Sequence, residues 1–190
     1  MDGQIPIPRS DTTDLDLLRA MAAGHTPALD ELYARYGPAV FSYLIARLGE
    51  RPLAEEILQD VMLAAWRSAM GFRGDSKVLT WLLTIAHNRA VNARRKRTFT
   101  LVPFSDALDG PSDDTGSLDR IVRQAEHLAL RERLAELPAP QREVLVLVFY
   151  HQLSEAEAAK VLGVAVGTVK SRLHRAKTAL RNVLESETSS

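Results

Sequence analysis

Apolar positions recur along this chain at helical spacing, and no stretch alternates for long enough to read as a half-buried strand. The pattern predicts helices at about 13–23, 27–48, 52–69, 76–97, 118–136, 140–151, 154–162 and 167–184. In the last of these, Val169, Leu173, Ala176 and Leu180 step by four, three and four. That spacing puts them on one stripe of an α-helix. Leu79, Leu83, Ala86, Ala90 and Ala93 form the matching stripe of the 76–97 helix. The run "VLVLVFY" at 144–150 is apolar throughout, but Pro138 and Pro140 just before it favour a helix start over a strand. Thr26-Pro27 predicts a capped start, with proline where its missing N–H costs nothing. Gly37-Pro38 predicts a kink or break in the second helix.

Periodicity stops between about 98 and 117, where the chain reads "TFTLVPFSDALDGPSDDTGS". So much Pro, Gly, Ser and Asp buries too little apolar surface to offset chain entropy, which predicts a flexible linker. The expected fold class is all-α, with two small helical domains at 1–97 and 118–190 on either side of an acidic linker at 98–117. A length of 190 residues and 46% hydrophobic content suit either one large domain or two small ones.

Charge changes the picture more than composition does. The chain has zero net charge, yet its charges fall in blocks. Residues 76–105 hold 6 basic and no acidic groups, and residues 158–184 repeat that count. Between them, residues 106–157 hold 5 basic and 11 acidic groups. Two basic blocks divided by an acidic one predict two places that meet a polyanion. The absence of cysteine excludes a disulfide scaffold and thiolate chemistry. No apolar run approaches the roughly 20 residues of a bilayer span. The opening "MDGQIPIPRSD" lacks the basic-then-apolar order of a signal peptide. The expectation is a cytoplasmic protein with no membrane insertion.

The second basic block sits inside a motif. Ser154-Glu155-Ala156-Glu157 is a capping box. A short helix with Ala158, Val161 and Leu162 comes next, and Gly163 ends it where a left-handed backbone is common. Two helices joined by such a turn make a helix-turn-helix. Opposite the apolar stripe, the second helix carries Thr168, Lys170, Ser171, Arg172, His174, Arg175 and Lys177. A helix of this kind fits the major groove, where arginine and lysine bond guanine or neutralise phosphate. Neutralising about five phosphates would make binding roughly 500-fold weaker at 200 than at 50 mM salt. The alternative is an amphipathic helix whose basic face is merely solvated.

The stretch "LPAPQREVLVLVFYHQLSEAEAAKVLGVAVGTVKSRLHRAKTALR" resembles the C-terminal promoter-binding domain of bacterial extracytoplasmic-function (ECF) sigma factors, with "VGTVKSRLHRA" as the specific signature. In the first half, "AEEILQDVMLAAW", "FRGDS" and "TWLLTIAHNRA" resemble the other conserved domain of that family. Together the resemblances cover about 26–97 and 125–184, in family order. They imply a subunit that directs core RNA polymerase to promoter DNA, reading a −35 element as duplex through the basic helix. They imply that Asn88, supported by Asn92 and the loop Phe72–Val78, holds a flipped base of the −10 element. Arg73, Ser76, Lys77, Arg89 and Arg95 would line that single strand. An asparagine can both donate to and accept from a base edge. Phe72 and Trp81 are open to two readings, base stacking or core packing.

The resemblance further implies that Glu55, Glu56, Gln59 and Asp60 dock on the clamp helices of the polymerase, and that the linker, with Asp106, Asp109, Asp113, Asp114 and Asp119, runs near the RNA path. Plain solvation is the competing reading for both acidic surfaces. An anti-sigma factor is an implied partner, and a stress- or signal-responsive regulon an implied target. Lys77 and Val78 stand where relatives frequently carry an aromatic pair, which bears on the −10 preference.

Five histidines show no metal-ligand spacing. No phosphate-binding glycine loop or nucleophile elbow is present. The expectation is therefore no catalysis, no cofactor, no metal and no small-molecule substrate. The competing function is an autonomous helix-turn-helix regulator that binds an operator as a dimer.

Overall fold

The computed structural model describes residues 13–98 and 136–188. The segments read as a linker, 98–117, and as a helix, 118–136, fall outside the described residues but for one end residue each. Every regular element among the described residues is helical. The chain divides into two compact units, Met1–Leu44 with Pro52–Val102 and Ile45–Arg51 with Pro103–Ser190. Among the described residues no helix is long and apolar enough to cross a membrane.

The first unit begins with α1, Asp14–Ala22, where the Thr13 hydroxyl accepts from Asp16 N–H at 3.2 Å. Asp14 and Asp16 in its first turn complement the helix dipole. Asp14 also ties α1 to α2, Thr26–Leu48. Its carboxylate accepts from Arg35 at 2.7 Å and from the Tyr36 hydroxyl. Burial, then that hydrogen bond, pushes the Tyr36 phenol well above its ordinary range.

Helix α2 starts at Thr26, one residue early, so Thr26 is its first residue and not its cap. It also runs through Pro38 without the expected break. The proline removes one backbone hydrogen bond, but Leu32, Val40, Tyr43 and Leu44 are buried on both sides of it. That burial outweighs the local defect. A methyl on Gly37 would touch the Tyr33 ring at 3.5 Å, so the ring covers this Gly-Pro step.

Helix α3, Arg51–Ser68, buries Ala54, Ile57, Leu58, Val61, Met62 and Ala65. It passes into a 3-10 turn, Ala69–Gly71, that packs against α1. Helix α4 spans Val78–Thr98. Its buried residues are Val78, Thr80, Leu82, Leu83, Ala86 and Ala90, while Leu79 and Ala93 are only half-buried. The stripe read from the sequence is thus rotated in the first turn, because partners outside the helix decide which side faces inward.

In the second unit, α5 covers Ala139–Leu145, with proline in its first turn. The apolar run continues it as a π-helical stretch, Val146–Tyr150, closed by His151 N–H donating to Val146 O at 3.0 Å. Val144, Leu145, Val146 and Leu147 are buried, whereas Phe149 and Tyr150 are exposed.

Helix α6, Glu155–Leu162, opens on the capping box. Ser154 Oγ accepts from Glu157 N–H at 3.2 Å, and Ser154 N–H donates to Glu157 Oε2 at 2.8 Å. Gly163 ends the helix at φ 63°, in the left-handed region. Helix α7 is next, Val166–Thr188. Both α5 and α6 pack on α7. Ala158 and Ala159 are buried, as are Val169, Leu173 and Ala176. The small side chains of α6 let the two helices approach closely.

Candidate nucleic-acid interfaces

On α7 the helical period separates a buried stripe from a polar side. Lys170, Ser171, His174, Arg175 and Lys177 are exposed, and Thr168 and Arg172 are half-buried at the edge of the stripe. Ser171 Oγ donates to Thr168 O at 3.0 Å, which leaves the hydroxyl oxygen able to accept. Lys177 Nζ lies 5.0 Å from the centre of the Phe149 ring, so this cation is anchored on its own domain. Lys170 Nζ lies 3.8 Å from Glu155 Oε2. The helix also presents Val166, 39% exposed, in its first turn.

On α4 the polar side comprises Asn88, Arg89, Asn92 and Arg95, all exposed. His87, one residue before Asn88, is half-buried, and its Nδ1 pairs with the hydroxyl of fully buried Tyr43 at 2.9 Å. That bond joins α4 to α2. In the loop before α4, Arg73 and Lys77 are exposed while Phe72 and Ser76 are half-buried. Gly74 supplies the turn at φ 78°. The Phe72 and Trp81 rings pack on each other, with centroids 5.1 Å apart and planes tilted by 54°. Both keep part of their surface in water, so the pair lies between the two readings open for it. The loop and Trp81 are brought together, whereas Asn88 stands about 15 Å of helical rise beyond the start of α4.

On α3, Glu55, Glu56, Gln59 and Asp60 are all exposed, opposite the buried stripe. Leu63, 46% exposed, continues their face. Sequence reasoning missed Leu63, Val166, Glu155 and also Val91, which is 39% exposed between Asn88 and Asn92. The signal for three of them was helical spacing alone. Leu63 lies four residues after Gln59, Val91 three after Asn88, and Val166 four before Lys170.

Residues 32–100 match the family model for Sigma-70 region 2, and residues 127–180 match that for Sigma-70, region 4. The chain is 35% identical over 179 residues to the ECF RNA polymerase sigma factor SigM of Mycobacterium tuberculosis (strain ATCC 25618 / H37Rv), covering 93% of this chain and 87% of that protein. Its fold is similar to that of the sigma factor RpoE of Bartonella quintana, solved with the anti-sigma factor NepR. There the TM-score is 0.68 at 28% identity, over 82% of this chain and 96% of that one. It is also similar to CnrH, solved with the cytosolic domain of CnrY, with a TM-score of 0.67 at 26% identity over 91% and 97%. Both sigma-70 regions occur in order on one chain, and the similarity to a sigma factor runs over nearly its whole length. The chain therefore belongs to the ECF RNA polymerase sigma factors, which direct core RNA polymerase to promoters and initiate transcription.

Proposed function

We propose that the work is divided between the two ends of the chain. Residues 1–97 bind core polymerase and open the −10 element, residues 98–117 tether, and residues 118–190 read the −35 element as duplex. Thr168, Lys170, Ser171, Arg172, His174 and Arg175 face that duplex, with Lys177 at its margin. Asn88, supported by Arg89, Asn92 and Arg95, and the loop with Phe72, Arg73, Ser76 and Lys77 face the unpaired strand. Glu55, Glu56, Gln59 and Asp60 meet the polymerase, with Leu63 as an apolar centre in a polar face.

The chain supplies recognition and strand capture in the cytoplasm and leaves catalysis to the polymerase. Its regulon answers a stress or signal. An anti-sigma factor is a further partner, as NepR is for the sigma factor RpoE of Bartonella quintana. The alternative of a dimeric operator-binding regulator is displaced by the match of residues 32–100 to Sigma-70 region 2.

One observation carries this reading. Two exposed polar helix faces, on α4 and on α7, lie in the two separately matched regions. A paired substitution tests it. Arg175→Ala, at an exposed position, weakens holoenzyme binding to duplex promoter by about 1–3 kcal/mol. Asn88→Ala leaves duplex binding intact and lowers permanganate reactivity of the −10 thymines. Equal effects of both substitutions on both assays overturn the division of labour.

A further inference from the structure

We propose that Glu155 is a positioning residue for promoter recognition: its carboxylate holds the Lys170 ammonium, so that the lysine serves a base edge and not any passing phosphate. The inference rests on the reading of α7 as the −35 helix. The two groups come from the two helices of the helix-turn-helix. Glu155 is the first residue of α6, and Lys170 the fifth of α7. Their charged atoms are 3.8 Å apart, and both side chains keep much of their surface in water, 41% and 64%.

An ion pair this exposed contributes little to folding, so its consequence lies in binding. The helix cap does not need it, because Glu157 already satisfies Ser154. Lys170 lies within the first two turns of α7, the part of a recognition helix that reaches base edges. A lysine there is a point charge on a flexible stem. Left untethered, it adds a phosphate contact on every sequence alike, which raises affinity without discrimination. A carboxylate beside it repels phosphate and restricts the stem. Partners that offer only phosphates are penalised, while a base acceptor at the right place is still served. Specificity then gains from a repulsive element as well as an attractive one.

The test uses holoenzyme assembled from the full chain and core polymerase. Binding is measured between 50 and 200 mM salt on a promoter from which the holoenzyme initiates, and on the same fragment with its −35 element scrambled. Glu155→Gln is expected to steepen the salt slope on the scrambled fragment by about 0.9, which is about 3.5-fold across that range. It should barely alter promoter binding, so discrimination falls about threefold. In a Lys170→Met background the same substitution should do nothing. An effect of Glu155→Gln that is equal on both fragments, or that persists without Lys170, overturns the proposal as general electrostatics. If Lys170→Met abolishes discrimination while Glu155→Gln is silent, only the proposal falls. If Lys170→Met leaves discrimination intact, the assignment of Lys170 to the −35 duplex falls with it.

Discussion

Helices α4 and α7 both present polar faces, but they are held in place differently. The face of α7 arises from local chemistry: a capping box starts the preceding helix, a left-handed glycine ends it, and a clean stripe turns Ser171, His174 and Arg175 outward. The face of α4 depends on partners far away in sequence. His87 is bonded to Tyr43, 44 positions earlier, and buried Thr80 and Leu82 rotate the first turn. Under the proposed roles, a surface for duplex DNA is built from one short motif, whereas a surface that catches an unstacked base is clamped from inside by a second helix.

The largest expected effect comes from breaking that clamp. Tyr43 is fully buried, so Tyr43→Ala should destabilise the first unit by about 3–5 kcal/mol. Tyr43→Phe removes only the hydroxyl and should cost about 1 kcal/mol, because half-buried His87 can turn to water. Both tryptophans, Trp66 and Trp81, lie in the first unit, so urea unfolding monitored by tryptophan fluorescence reports on it selectively. If the clamp also orients Asn88, Tyr43→Phe will lower permanganate reactivity at the −10 element while leaving −35 binding alone. Equal losses in both assays would erase the contrast between the two helices.

The same contrast explains what was legible in the sequence. The helix-turn-helix, its caps and its buried stripe could be read because each depends on residues within four positions of one another. The exposed faces of α3 and α4 were legible for the same reason. What escaped reading depends on contact across the chain. Asp14 gathers Arg35 and Tyr36 from 21 and 22 positions away. Glu155 meets Lys170 across a turn. Burial on either side carries α2 through Pro38. His87, next to Asn88 on α4, is held by Tyr43 from another helix. Local propensity sets an element, and only packing decides which side of it is spent on the core.

A smaller effect separates the units by pH. Burial lowers the pKa of His151, in the second unit, from 6.5 to about 4. The folded pKa lies below the unfolded one, so the unfolded chain takes up the proton first as acid is added. Stability is therefore complete above about pH 6.5 and is lost as pH falls toward 4, with no further loss from this group below that. The ring keeps some contact with water, which reduces the penalty to about 1–2 kcal/mol. Thermal melts of the full chain at pH 7 and pH 5 should show the second unit loosening, and His151→Gln should flatten the response. A ring titration by NMR near the ordinary histidine value would remove the asymmetry.

The smallest effect concerns the step between two local devices of the second unit, the π-helical stretch and the capping box. Gln152 sits between them at φ 54°, the sole positive φ at a non-glycine position among the described residues. Its side chain is exposed, while Leu153 beside it is buried, so the backbone is held there by the burial of Leu153 and not by the glutamine itself. A left-handed conformation costs a residue with a Cβ about 1–2 kcal/mol, and glycine returns up to about 1 kcal/mol of that as extra chain entropy to be lost on folding. Gln152→Gly should therefore stabilise the second unit by about 0.5 kcal/mol, read as a rise in its thermal midpoint with no change in promoter discrimination. A loss of stability would mean that the glutamine side chain holds this turn, and the start of α6 would then depend on more than its cap.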